Sequence, residues 1–338
     1  MMLQKTMFWM FLSLFLIGCS NQSLEAMEED EWIMEETGAF LQIIHIETNE
    51  NDAFTRFYFE GENIRIPYEI VGMSEGIYSE FGLIFMVDGV ASQTQLEFSN
   101  GVIFREASYM HDFSLAYGEG FVFDVVFMPI STEIEQTVAI SDIAIFSPNA
   151  IPMNADEPDF FSSNTIVSTY FIEMETKMDA EHIIGNEKQG YHFTDFEAIA
   201  PVIHTFHRPW LREGETMEEL FDEAARLMIF PQDVGLQVGF QDSLFVEDEE
   251  LLLTLLVYGG QEVRSRITFF INHRPVLVNG YDFIELEIRK GEMAVIDIEL
   301  TQFYLESFNS LYAIMVPIGQ DYVRQNIHGS RPLLIVRE

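Results

Sequence analysis

The sequence predicts a mainly β fold, arranged as two antiparallel β-sandwich domains joined by a segment with one amphipathic helix. Three features point there. Short apolar runs recur with period two, as at Ile64, Ile66, Tyr68 and Ile70, the signature of strands with one buried face. Asp88-Gly89, Asn100-Gly101 and Asn279-Gly280 suit two-residue hairpin turns, whose central residues need φ > 0. A stretch at 147–164, "SPNAIPMNADEPDFFSSN", holds three prolines and an acidic cluster between two strand-rich blocks, as a domain boundary does.

The chain begins with Lys5 as the one basic side chain, followed by an apolar run from Met7 to Ile17. As a helix this run spans about 16 Å at roughly 1.5 Å per residue, half a bilayer core. It has the length of a signal-peptide core and is too short for a membrane span. It ends at Leu16-Ile17-Gly18-Cys19, and Ser20-Asn21-Gln22 is abruptly polar. Cys19 is the single cysteine of the chain.

These residues resemble the lipobox signal peptides of bacterial lipoproteins, with an aliphatic residue three before the cysteine and a small one just before it. The resemblance covers residues 1–19 only. It implies cleavage between Gly18 and Cys19, lipid attachment to Cys19, and a location on the extracytoplasmic face of a bacterial membrane. A lipidated Cys19 leaves the mature chain without a free thiol. Disulfides, thiolate metal sites and thiol catalysis are then excluded.

Residues 19–31 read as a flexible acidic tether. Domain 1 is expected over 32–150. Pro67 cannot donate to a ladder, so its strand is expected at an edge or at a bulge. Residues 83–87, "LIFMV", are continuously apolar and Phe121, Phe123, Val125 and Phe127 alternate. About seven short strands without a helical stretch read as an immunoglobulin-like sandwich. Residues 151–233 form a linker and helical segment, with a strand at 165–172. Its helix is expected over about 216–229, because Met217, Leu220, Phe221, Ala224, Leu227 and Met228 share one face. Thr216 and Glu219 are spaced as a capping box, and Pro231 ends the helix. Domain 2 is expected over 234–338, again an immunoglobulin-like sandwich. A faint echo links 83–95 with 268–280 and 117–127 with 289–300, which suggests related domains.

The chain carries 56 acids and 17 Lys and Arg, a net charge of −39. Residues 20–176 hold 29 acids against Arg56, Arg65 and Arg105. Such a surface repels nucleic acid and anionic headgroups, so nucleic acid is excluded as a partner. Cations, basic proteins and neutral ligands remain.

Candidate chemistry is sparse. Gly72-Met73-Ser74-Glu75-Gly76 fits G-x-S-x-G, but a nucleophile elbow needs a helix after it, and "IYSEFGLIFMV" reads as strand. His204 and His207 are spaced to share a metal on a helix, with no third ligand identifiable. The acidic clusters Glu28–Glu31, Asp156–Asp159 and Glu247–Glu250 lack the spacing of a calcium loop. With so many acids, a pair suited to glycoside hydrolysis cannot be picked out. Trp32 and Trp210 are the mature tryptophans and could serve a carbohydrate platform. No P-loop or dinucleotide fingerprint is present, so no cofactor is expected. No catalytic residue, metal ligand or cofactor-binding residue is assigned.

The expected function is therefore a non-enzymatic, membrane-anchored lipoprotein that binds or scaffolds a protein or a cell-wall glycan. One alternative is a transporter's solute-binding lipoprotein, which requires two helix-rich α/β lobes. Another is an exported hydrolase using metal or carboxylates.

Overall fold

Alternating side chains form strands because each ladder exposes one face and buries the other. In the computed structural model, the described residues are 41–45, 55–59, 63–72, 79–127, 137–146, 164–176, 188–200, 203, 216–217, 219, 221, 225–232, 243–246, 251–260, 262–301, 303–318, 327–330 and 332–337. Ala39–Glu338 belong to one compact unit.

The first half holds β1 (Leu41–His45), β2 (Thr55–Phe59), β3 (Ile64–Gly72), β4 (Ser79–Val87), β5 (Val90–Ala91), β6 (Thr94–Glu97), β7 (Ile103–Ser108), β8 (Met110–Leu115), β9 (Gly120–Phe127), β10 (Thr137–Phe146) and β11 (Asn164–Thr176). They make two sheets. One has the order β1-β3-β9-β6-β7, and the other β2-β11-β10-β4-β5, with β8 beside β4. Tyr68 and Ile70 of β3, Phe81, Leu83 and Phe85 of β4, and Phe123 and Val125 of β9 fill the core between them.

The second half adds β12 (Gly190–His192), β13 (Phe196–Ala198), β14 (Ala225–Pro231), β15 (Ser243–Val246), β16 (Leu251–Gly259), β17 (Val263–Ile271), β18 (Arg274–Val278), β19 (Phe283–Ile288), β20 (Glu292–Thr301), β21 (Phe308–Pro317), β22 (His328–Gly329) and β23 (Leu333–Arg337). These join into one twelve-stranded sheet, in which β18 pairs with both β17 and β20. The sheet curls into a nearly closed barrel around Leu253, Leu255, Phe269, Ile284 and Ile296. It stands where a second separate sandwich was expected. The physical cause is β18, one short strand hydrogen-bonded to both layers. In the first half the corresponding stretch is split, with β5 kept by β4 and β6 given to β9.

Much of the pairing scheme recurs between the halves, although β7 of the first and β12, β13 and β22 of the second have no counterpart among the described residues. The series β1-β3-β9-β6 recurs as β14-β16-β20-β18, and β2-β11-β10-β4 recurs as β15-β23-β21-β17. Even the parallel pair β2 with β11 has its counterpart in β15 with β23. β8 sits on β4 as β19 sits on β17. The turns agree as well. Asp88-Gly89 has φ of 48° and 73°, and Asn272-His273 has 48° and 64°, both left-handed pairs that match strand twist.

Equivalent faces of the two halves pack on each other. Ile84, Met86, Ile143 and Ile145 meet Phe270, Tyr312, Ile314 and Val316 in a shared apolar cluster. Phe270 and Tyr312 stack at 5.1 Å.

Three expectations change. Ala225–Pro231 is strand, not the second half of a helix over 216–229, and pairs antiparallel with β16. The capping box does form, with Thr216 N donating to Glu219 Oε2 at 2.8 Å and Glu219 N to Thr216 Oγ1 at 3.2 Å. Read with period two, Ala225, Leu227 and Ile229 enter the barrel core, while Met228 and Phe230 enter a second cluster with Tyr258. Burial on both faces outweighs local helix propensity. Pro67 lies on β3, which is interior between β1 and β9. Among the described residues pairing with β1 runs from Gly72 to Tyr68, and on the other side Pro67 stands opposite Asp124 of β9. At Asn100-Gly101 only Gly101 has positive φ, so this turn is not the primed two-residue type.

Candidate binding surface

Buried polar groups in this chain tie strands together. His111 on β8 reaches across the first core, where Nε2 donates to the Thr94 carbonyl at 2.9 Å and lies 3.0 Å from its hydroxyl. Burial pushes His111 down to about 4, with Arg105 adding to the shift and the Thr94 hydrogen bond opposing it. Burial lowers His328 to about 4 as well, aided by Arg226. Both rings are therefore neutral at neutral pH.

Glu285 on β19 is the centre of a charged knot. Arg264 and Arg266 of β17 both pair with its carboxylate, Arg266 Nε at 2.9 Å, and His192 Nδ1 lies 3.3 Å away. Burial raises the Glu285 carboxyl, but hydrogen bonds and charge from the two arginines outweigh it and hold it below the usual range. Arg266 also covers the Phe283 ring at 4.7 Å and donates to the Asp88 carbonyl at 2.9 Å. Thr268 Oγ1 donates to the Gly89 carbonyl at 3.3 Å. The first half's hairpin tip is thus fastened to the barrel.

On the outer face of the first sheet, Arg65 pairs with Glu97 at 2.6 Å and lies 3.9 Å from Asp124. Gln95 Nε2 donates to Glu97 Oε1 at 2.8 Å. This row crosses β3, β9 and β6, and its carboxylates serve the ladder.

The surface of interest lies at the edge of the first half. Aromatic rings run outward from its core. Phe81 stacks on Phe113 at 5.5 Å, Phe113 on Phe123 at 5.6 Å, and Phe104 meets Phe121 at 5.1 Å and Phe98 at 4.7 Å. Phe81 and Phe123 are fully buried, whereas Phe98 is 40% exposed. Phe104, Phe113 and Phe121 are half-buried, while Ile103 and Val122 face the other side of the sheet, with Glu97 and Glu69. The core opens to solvent along this edge, next to the exposed charges Glu106, Asp112 and Glu119. Contiguous exposed apolar area on a soluble domain marks an interaction site.

The sequence candidates fall elsewhere. Gly72 ends β3, and a Cβ there would lie 2.4 Å from the Ala116 carbonyl. Its place in G-x-S-x-G is thus explained by close packing. Ser74, Cys19, His204, His207, Trp32, Trp210 and all three acidic clusters lie outside the described residues. Among the described residues no group of three or more His, Cys, Asp or Glu could hold a metal. No described helix is long and apolar enough to cross a membrane. The aromatic edge was missed in the sequence because Phe121 and Phe123 alternate as core residues do, and only the strand order shows where the core ends.

Fold and surface together define a mainly β protein with two like-paired halves and an open apolar edge on one. No protein-family model and no curated protein matches the chain. Solved structures with some likeness include the N-terminal domain of PorA, at 16% identity and a TM-score of 0.25, covering 41% of this chain and 98% of that one. The CsuC–CsuE chaperone–tip adhesion subunit complex of Acinetobacter baumannii archaic chaperone-usher pili is 6% identical with a TM-score of 0.22, covering 86% and 98%. The periplasmic chaperone SfaE is 10% identical with a TM-score of 0.20, covering 88% and 100%. Scores this low assign neither family nor function.

Proposed function

We propose that this protein is a non-enzymatic binding or scaffolding module, held on the extracytoplasmic face of a bacterial membrane by lipid on Cys19, with a protein or a cell-wall glycan as partner. The observation that carries the binding role is the open aromatic edge at Phe98, Phe104 and Phe121, presented by a body whose halves are fastened face to face. A rigid support keeps such a patch preorganised, which lowers the ordering cost of binding. The buried titratable groups support the same reading, since Glu285, His111 and Glu97 are each engaged in strand-to-strand bonds. The lipobox residues Leu16, Gly18 and Cys19 support the anchor.

Two measurements test the parts separately. Intact mass of the detergent-extracted protein is expected to show a chain starting at a diacylglyceryl-modified Cys19, and an unmodified full-length N-terminus overturns the anchor. Pull-down from intact cells is expected to return a protein or wall fragment that is lost when Phe98, 40% exposed, is changed to Asp. Equal recovery by both forms overturns the binding role of the edge.

A further inference from the structure

One of the differences between the halves bears on how the open edge is filled. In the second half, the chain's own segment Lys188–Ala200 lies along the edge between β19 and β20. β12 pairs parallel with β19, Tyr191 opposite Ile284 and His192 opposite Glu285. β13 pairs antiparallel with β20, Phe196 opposite Ala294. Phe193 N donates to the Glu285 carbonyl at 2.9 Å, and Ile199 N to the Gly291 carbonyl at 3.1 Å. Phe193 is 9% exposed within the barrel core, and Tyr191 and Phe196 pack against that core. Lys188 Nζ pairs with Asp282 at 2.8 Å.

The corresponding edge of the first half runs along β8 and the start of β9. Gly82 and Arg266 each stand six residues before the left-handed turn that ends their strand. Gly82 pairs with Asp112 as Arg266 pairs with Glu285. Asp112 therefore occupies the place of Glu285. Phe121 stands three residues after Gly118 as Ala294 stands three after Gly291, and both glycines have positive φ. The Asp112 carbonyl accepts from the exposed Arg105 side chain at 3.2 Å, where the Glu285 carbonyl accepts a backbone N–H. Side chains at this edge are apolar at Phe98, Phe104, Phe113 and Phe121, whose rings touch one another. The surrounding charge is negative, and Arg105 is the only Lys or Arg between residues 66 and 176.

Resting on the binding role proposed above, we infer that this edge takes an extended segment of a partner protein, with aromatic or aliphatic residues flanked by Lys or Arg. It docks on the first half as Lys188–Ala200 docks on the second. Backbone pairing to β8 or β9 supplies the common affinity, and the apolar side chains seated on the Phe98–Phe121 cluster supply selection, as in other strand-addition complexes. The acidic rim selects cationic flanks and speeds encounter.

The test is selection of random twelve-residue peptides, displayed on phage, against the full chain purified in detergent. A synthetic copy of the best peptide is then titrated against the wild type and the variant Phe98→Asp. Phe98 is 40% exposed, so the variant is expected to keep the wild-type fold, checked by its melting temperature. The inference expects enriched peptides that combine Lys or Arg with two or more bulky apolar residues, and an affinity at least tenfold weaker for the variant. No enrichment, acidic peptides, or equal affinity for both forms overturns it. Neutral cell-wall oligosaccharides binding the wild type but not the variant, with no peptide selected, overturns the peptide occupant and leaves the binding module standing. Neither class binding removes both.

Discussion

Arg266 on the barrel donates through Nη1 to the backbone carbonyl of Asp88 in the other half, 2.9 Å away. The same guanidinium holds the Glu285 carboxylate through Nε at 2.9 Å. One side chain thus joins a buried ion pair to the joint between halves. Arg266→Met keeps the stem and removes both bonds. Breaking a buried pair by removing one partner costs about 3–5 kcal/mol. Because Arg264 still pairs with Glu285, a loss of about 2–3 kcal/mol is expected, read as a lower urea midpoint. Adding Glu285→Gln to Arg266→Met is expected to recover part of that loss, since no unbalanced charge is left buried.

Gly89 tests the same joint from the other side. Its φ is 73°, and an added Cβ would lie 3.0 Å from Arg266 Cβ and 3.3 Å from Ile318 Cγ2 and Val316 Cβ. Gly101 has a φ of 81° with nothing within 4 Å of an added Cβ. Gly101→Ala is expected to cost about 1 kcal/mol from the left-handed backbone alone. Gly89→Ala is expected to cost about 1–2 kcal/mol more, because the barrel must give way. Denaturant unfolding of the two variants side by side measures the difference, and equal losses would mean the tip is not seated.

Acid is expected to weaken the fold in two stages. His111 and His328 titrate near 4 in the folded chain, against an ordinary 6.5, because burial disfavours their charged forms. Between those values the unfolded chain binds protons that the folded chain refuses. Stability is thus full above about 6.5 and falls as pH drops toward 4, by about 2–3 kcal/mol per histidine. Glu285 is held below its ordinary value, so its contribution is present above 4.5 and is lost only on further acidification. Urea unfolding at pH 7, 5 and 4 reads both stages. His111→Gln is expected to flatten the first of them.

Much of the strand content was legible in the sequence, and the reasons are local. The alternation of Ile284, Leu286 and Ile288 becomes β19, and Asn279-Gly280 is a left-handed pair with φ of 52° and 80°. The echo between 83–95 and 268–280 marks equivalent hairpins, β4-β5 and β17-β18. What was not legible depends on distant partners. Nothing in Gly190–His192 or Phe196–Ala198 alternates long enough to announce a strand, and each is extended because β19 or β20 offers an edge. Ala225–Pro231 satisfies both helical and strand periods, and only the apolar ladder of β16 decides between them. The closure of the barrel rests on β18 pairing to two strands at once, which no local pattern encodes. Phe98, Phe104 and Phe121 became candidates for a site only once exposure was known.

The binding role stands most directly on position 98. A photo-crosslinking amino acid placed there in intact cells, compared with the same group at Leu252, is the sharpest test. Leu252 is exposed on the second half, at 49%, and controls for chance encounter. The expected result is a discrete adduct from position 98, absent from position 252. No adduct at 98, or the same adducts at both positions, would contradict a binding site at this edge.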